Sequence, residues 1–299
     1  MKNTKVLVTA ATGKTGSHVV EQLIEKGYPV RAQVRRHSEK SELLESMGAE
    51  VVVGDYFDRQ FLHTAMRGIK RAYFCYPPAD RLLEAITNFA VVAKEVGLEF
   101  MVNMSQIIAR HGHPSRLTNQ HWLGERVLEW AGIGTAHIRP TLFAEMFLML
   151  NAEGIASQGK IFLPYGKGSH APVAAQDIAR VVVGILTNPE SHVGKAYTVT
   201  GEKALSQNEI ARIIGDVLGK PVEYVDIPLE KWRQAMADKG HPTFLIDHLS
   251  CVAEDYQVGR FDKVTDVVLK VGGQPAQNFE AFISENIAVL DDRIAEVVS

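Results

Sequence analysis

The chain has 299 residues, 46% hydrophobic and 22% charged, with a formal net charge of −3, which suits one large α/β domain carrying a smaller lobe and offers no basic field for nucleic acid. Cys75 and Cys251 stand far apart without metal-type spacing, so free thiols in a reducing compartment are expected. The first strand starts too early for a signal sequence to precede it, and the longest apolar stretch, 141–150, is interrupted by Glu145 and falls short of the roughly 20 residues a membrane span needs; the expectation is a cytoplasmic protein, monomeric or homodimeric, with no membrane association.

Val6, Leu7 and Val8 suit a buried parallel strand, and Val19, Val20, Leu23 and Ile24 recur at helical spacing over 17–26. Between them runs a small-residue turn, Thr9, Ala10, Ala11, Thr12, Gly13, Lys14, Thr15, Gly16. This is the outline of a dinucleotide pocket. Gly13 lets the backbone approach a pyrophosphate, Gly16 lets helix and sheet pack closely, and the helix start supplies N–H groups and positive dipole. The fingerprint expects glycine where Ala10 stands, so either Ala10 has negative φ or the grip on the cofactor is weaker. An ordinary strand-to-helix turn is the alternative for the whole stretch.

A second strand over 29–34 ends in Arg35 and Arg36, and a helix follows over 39–47. The end of this strand meets the adenosine ribose in a doubly wound fold: an acid there takes the 2′-hydroxyl of NAD, whereas arginine suits the 2′-phosphate of NADP. Arg35 is the candidate phosphate ligand, and Arg36 and Lys40 are either supplementary charge or a solvated turn. The third strand, 50–53, leads to Asp55 and Tyr56, which either touch adenine or form a simple turn, and Asp58 reads as the N-cap of a helix through Met66. Strand four, 71–75, is stopped by Tyr76, Pro77 and Pro78 in a loop expected beside the cofactor.

A helix over 82–96, a fifth strand over 99–103 ending in Met104 and Ser105, a helix from Pro114 to about residue 131 and a sixth strand over 134–138, closed by Arg139 and Pro140, complete the alternation. Such alternation means a Rossmann-type parallel sheet covered on both faces. Beyond it, glycines and prolines break the chain into short pieces before a helix at about 174–186 and a seventh strand at 196–200. Ser206 and Glu209 form a capping box ahead of Ile210, Ile213 and Ile214, and a short strand over 222–226 and helices over 229–239, 243–256 and 278–290 follow. The expected division is a dinucleotide domain over 1–152, completed by about 171–200, and a mixed α/β lobe over 201–299 with 153–170.

With the Val8–Gly16 turn, Arg35, the Gly54-Asp55 turn and the mixed C-terminal lobe in place, the chain resembles the NmrA-like group of atypical short-chain dehydrogenases over nearly its whole length. That group contains NAD(P)H-dependent quinone reductases, a triphenylmethane-dye reductase, tailoring proteins of aromatic polyketide pathways and redox-sensing regulators. The resemblance implies NADP(H), with NAD(H) second, and ligands at Met104, Ser105 and Pro140 besides those above. Ordinary short-chain dehydrogenases carry Tyr-x-x-x-Lys on the helix after strand five. His121 and Glu125 stand there in this chain, on one helical face, where the carboxylate can hold the histidine and raise its pKa. His121 is therefore a candidate proton donor, against a packing role shared with Trp122 and Leu123. Ser105 is either the dehydrogenases' serine or a turn hydroxyl.

His111 and His113 invite a metal, but no third ligand stands at suitable spacing, and no G-x-S-x-G elbow supports a hydrolase. Phe143, Met146 and Phe147 either line the cleft of an aromatic substrate or are plain core. The leading expectation is NADPH-dependent hydride transfer to a quinone-like or other conjugated aromatic acceptor. The alternatives are a non-catalytic NADP(H) sensor acting through a protein partner and an oxidoreductase or oxygenase component for an aromatic polyketide.

Overall fold

Seven strands in the order β3-β2-β1-β4-β5-β6-β9 form the central sheet of a computed structural model that describes residues 4–290. In chain order these are β1 (Val6–Val8), α1 (Lys14–Glu25), β2 (Val30–Val34), α2 (Glu39–Ser46), β3 (Glu50–Val53), α3 (Arg59–Met66), β4 (Arg71–Phe74), α4 (Leu82–Glu95), β5 (Phe100–Met104), α5 (Arg116–Trp130) and β6 (Gly134–Pro140). After α6 (Ala144–Gln158), β7 (Lys160–Leu163), β8 (Ser169–His170) and α7 (Ala175–Thr187), β9 (Ala196–Val199) adds the seventh strand. The rest comprises β10 (Leu205–Ser206), α8 (Gln207–Leu218), β11 (Glu223–Asp226), α9 (Leu229–Asp238), α10 (Thr243–Gln257), α11 (Val267–Gly272) and α12 (Phe279–Glu285).

β1 pairs in parallel with β2 on one side and β4 on the other, Val6 standing opposite Val30 and Arg71. Consecutive strands thus run outward in opposite directions from β1, and the reversal opens a crevice at their C-terminal ends. The local chemistry agrees with the sequence. Asp58 Oδ1 accepts from Phe61 N–H at 3.0 Å to cap α3, and Ser206 and Glu209 form the capping box of α8, with the Glu209 carboxylate 2.9 Å from Ser206 N.

The described chain divides into two units: residues 4–139, 175–198 and 267–274 form the first, and 140–174, 199–266 and 275–290 the second. The first unit therefore ends its opening run at Arg139, earlier than the sequence-based boundary at 152, and recovers a short piece from deep in the C-terminal region. On one face of the sheet, Leu7, Phe74 and Met101 pack with Leu62, Met66, Ile86, Phe89, Leu117 and Leu128 from α3, α4 and α5. On the other, α7 packs against α1 and α11. Gly184 makes the last contact possible, because a Cβ there would lie 2.1 Å from the Val271 carbonyl oxygen. In the second unit, α9 and α10 bury Trp232, Met236, Ile246 and Leu249, while β7 pairs with β11 and β8 with β10.

Candidate cofactor site

The turn after β1 bends at an alanine in the left-handed region: Ala10 has φ 47°. This corrects one branch of the sequence reading, which allowed for negative φ. The conformation is held from both sides. Ala10 N–H donates to Gln33 Oε1 at 3.2 Å, and the Ala10 carbonyl accepts from Gly13 N–H at 2.8 Å. The same carbonyl sits against α1 so tightly that a Cβ on Gly16 would lie 2.2 Å from its oxygen. Gly13 is the N-cap, extended at φ −79° and ψ 172°, with no side-chain cap and no acidic residue in the first turn. The opening N–H groups of α1 thus face outward with a positive dipole and no competing carboxylate.

The turn's side chains separate into two groups. Thr9, Ala11, Thr15 and Gly16 are buried, whereas Gly13 and Lys14 are exposed and Thr12 is half-buried. Thr15 shares a 2.8 Å hydrogen bond with the Tyr73 hydroxyl, and Thr9 Oγ1 both accepts from Cys75 N–H at 2.9 Å and donates to Cys75 O at 3.1 Å. Tyr56, read as a residue that touches adenine or forms a turn, is buried and donates to that same carbonyl at 2.8 Å. These groups fasten the ends of β1, β3 and β4 together, so what they present outward is backbone. Gln33, which the sequence reading passed over, completes the fastening: its Nε2 donates to Gly54 O at 2.6 Å and its backbone carbonyl accepts from Ala11 N–H at 3.1 Å.

Arg35 projects from the end of β2, exposed and with no hydrogen bond or ion pair among the described residues. Asp55 forms a turn, its Oδ1 accepting from Phe57 N–H at 3.0 Å. Half-buried Tyr76 donates to Asp80 O at 2.8 Å. Burial and the Asp55 carboxylate push its phenol pKa up, while the guanidinium groups of Arg81 and Arg35 pull it back, so these charges share one neighbourhood. Pro77 follows, half-buried in the same loop.

At the far side of the crevice, Met104 and Ser105 end β5 as buried residues. Glu125 is 0% exposed on α5 and takes Arg139 of β6 as a bidentate partner, Arg139 Nε donating to Oε1 at 2.8 Å and Nη2 to Oε2. Arg126 Nη2 adds a third bond at 3.3 Å. Burial pushes the carboxyl pKa up, but the Arg139 guanidinium and then the Ser105 hydroxyl more than reverse it and the net value is lowered. Glu125 thus forms an ion pair that closes β6 onto α5. His137 lies beside it, 2% exposed, its Nδ1 accepting from the Asn103 amide at 3.1 Å. Burial, Arg139 and Arg126 lower its pKa to about 4 against the opposing pull of Glu125, so it is neutral with the proton on Nε2.

Pro140 and the aromatic-thioether stretch belong to the second unit. There Phe147 is buried, 6.3 Å from the His170 ring and 6.4 Å from that of Phe279, while Phe143 and Met146 remain half-exposed. His113 is buried with Nδ1 accepting from Ser115 N–H at 2.9 Å, and His111 meets Trp122 edge-on at 4.9 Å, which gives both histidines a structural use. Among the described residues no group of three His, Cys, Asp or Glu side chains is placed to hold a metal, and no helix is long and apolar enough to cross a membrane.

Comparison with known proteins extends this geometry. An NAD(P)H azoreductase of Xenophilus azovorans is 32% identical over 95% of this chain and 98% of its own length. The crystal structure of an NADPH-dependent quinone oxidoreductase from Escherichia coli, complexed with NADPH, superposes with a TM-score of 0.85 at 24% identity, covering 94% of this chain and 99% of that one. A triphenylmethane reductase of Citrobacter sp., complexed with NADP(H), gives 0.81 at 23% identity over 94% and 99%. With the NmrA-like family model matching residues 2–271, the chain belongs to the NmrA-like family.

Proposed function

We propose that this protein is an NAD(P)H-dependent reductase that prefers NADPH and delivers hydride to a conjugated aromatic acceptor of quinone or azo type. The first unit fits the cofactor on its own geometry: an uncapped helix start, an exposed Gly13 whose lack of Cβ leaves the backbone open, and an unengaged Arg35 where a 2′-phosphate would lie. Bound there, the nicotinamide supplies the hydride. The azoreductase relative supports the acceptor class.

The observation that carries the reading is the Glu125–Arg139 pair. Glu125 stands where ordinary short-chain dehydrogenases carry the lysine that activates the proton donor, and here it is engaged in holding β6 against α5. Acceptors that spread incoming charge over an extended π-system need little acid assistance, and the residues' work is to bind, align and exclude water. The test is to follow NADPH and NADH oxidation by the purified protein across quinones, azo dyes and triphenylmethane dyes. Turnover with at least one conjugated acceptor, faster with NADPH, is expected, and His121→Phe should retain most of the rate. Saturable NADPH binding without oxidation by any acceptor overturns the reductase reading in favour of a cofactor sensor. A rate loss of about 10²–10⁴ in His121→Phe would instead make that histidine the proton donor.

A further inference from the structure

Among the described residues only two non-glycine side chains sit at positive φ, and both lie in loops at the C-terminal edge of the sheet: Ala10, and Arg81 with φ 70°. Arg81 closes the loop between β4 and α4. Its guanidinium carbon lies 3.6 Å from the centroid of the Phe57 ring, which comes from the loop after β3. In its own plane the group is held by Glu84 on the first turn of α4, with Nε to Oε2 at 2.8 Å and Nη2 to Oε1 at 2.7 Å. The side chain is still 53% exposed. A bidentate carboxylate in the plane and an aromatic ring beneath leave the opposite flat face, with the Nη1 edge beside it, to solvent.

The contrast with Arg35 decides what that face recognises. Arg35 keeps its donors free and its charge uncompensated among the described residues, as a phosphate ligand must. Arg81 has its Nε and Nη2 donors engaged and its charge offset by Glu84, which makes it a poor phosphate ligand and a good planar surface. A left-handed backbone at a residue with a Cβ is strained and persists only where surrounding contacts over-determine it. Arg35 and Arg81 both act on the Tyr76 phenol, so the platform and the proposed phosphate ligand belong to one neighbourhood. In a doubly wound sheet this edge, beyond β2, β3 and β4, is where the adenosine end of a dinucleotide lies.

Building on the proposed cofactor reading, we infer that Arg81, clamped between Phe57 and Glu84, is the stacking platform for the adenine ring, and that it reads the purine while Arg35 reads the 2′-phosphate. The two roles have different signatures. A purine platform is common to NADPH and NADH, so its loss weakens both equally, whereas loss of a phosphate ligand weakens NADPH alone.

The experiment is calorimetric titration of wild type, Arg81→Ala and Arg81→Lys with NADPH, NADH and 2′,5′-ADP, with thermal melts as a check on folding. Arg81→Ala should weaken all three by the same factor, about two- to fivefold, as expected for a partly exposed cation–π contact, leaving the NADPH-to-NADH ratio unchanged. Arg81→Lys keeps the charge and loses the plane, and should behave like the alanine variant. Weakening of NADPH and 2′,5′-ADP but not NADH would make Arg81 a phosphate ligand and overturn the platform, as would unchanged affinities in a folded Arg81→Ala protein or full rescue by lysine. Wild type that binds neither dinucleotide would overturn the cofactor reading itself, and the platform with it.

Discussion

Gln33 holds Ala10 in its left-handed conformation through a single 3.2 Å hydrogen bond from the Ala10 N–H to its side-chain oxygen, and the other end of the same amide holds Gly54 at 2.6 Å. One buried side chain on β2 therefore sets the spacing between the turn after β1 and the turn after β3. Gln33→Leu would strand both backbone groups, and a loss of about 1–3 kcal/mol of stability is expected, read as a lower denaturant midpoint, together with weaker NADPH binding. Ala10→Gly should be close to neutral, because relief of the positive φ is offset by the greater freedom of glycine in the unfolded chain, a term of about 0.4–1 kcal/mol. A Gln33→Leu protein as stable as wild type would show that water replaces the amide.

The two glycines of the turn should fail in different ways. A Cβ on Gly16 meets the Ala10 carbonyl oxygen at 2.2 Å, so Gly16→Ala must push α1 off the turn, and a loss of about 1–3 kcal/mol is expected from overpacking. Gly13 is exposed, and its added Cβ would meet that oxygen at 3.0 Å, a contact relieved by a shift of a few tenths of an ångström. Gly13→Val should keep its circular-dichroism spectrum and melting temperature while losing dinucleotide affinity. Tight NADPH binding by Gly13→Val would place the phosphates elsewhere.

Arg35→Ala should weaken NADPH about tenfold or more and leave NADH nearly unchanged, since a charge-assisted hydrogen bond contributes about 1.5–3 kcal/mol and only NADPH carries the extra phosphate. Equal affinities of the wild type for the two cofactors, measured by calorimetry, would remove the assignment.

Acid should loosen the β5–β6 edge in two stages. His137 has its pKa lowered from 6.5 to about 4, so the unfolded chain binds this proton first, and the stability of the neutral form is complete above pH 6.5 and drains away as pH falls from there to about 4. Glu125 is lowered as well: its contribution is complete above the ordinary carboxyl value of 4.5 and is lost as pH drops through the folded value beneath it. His137→Gln should flatten the stability profile between pH 6.5 and 4 and leave the more acidic limb in place. Glu125→Gln should cost about 3–5 kcal/mol at neutral pH, because Arg139 is left in a half-buried site without its counter-charge.

Much of this architecture can be read from the residues. Short β-branched runs bounded by turn residues mark the strands of the sheet, and Asp58 and Ser206 announce helix starts that are local chemistry. The helix α6 escapes such reading because its hidden face, Ala144, Phe147, Leu148, Asn151 and Ile155, is matched by exposed Met149 and Leu150, so apolar residues run right round it. The six residues of α11 give too little periodicity to register. At the site, Thr9 and Thr15 stand in the right stretch, yet their hydroxyls turn inward to Cys75 and Tyr73. Helical spacing places Glu125 on the face of His121 but cannot name its partner, which arrives from β6 14 residues away. Gln33 leaves no local mark at all, because both of its side-chain partners are backbone groups brought near only by the sheet.

The segment 267–274 returns to the first unit after the chain has spent most of the preceding stretch in the second, and it packs α11 where Gly184 admits the Val271 carbonyl. During synthesis the dinucleotide unit therefore stays incomplete until residue 274 has left the ribosome, although its first six strands are complete by residue 140. A fragment ending after β9 would contain every strand of the sheet and still leave the α11-facing surface of α7, around Gly184, uncovered. The nascent chain carries that uncovered helix face until α11 arrives, which makes the stretch of synthesis between β9 and α11 an interval in which shielding from aggregation matters.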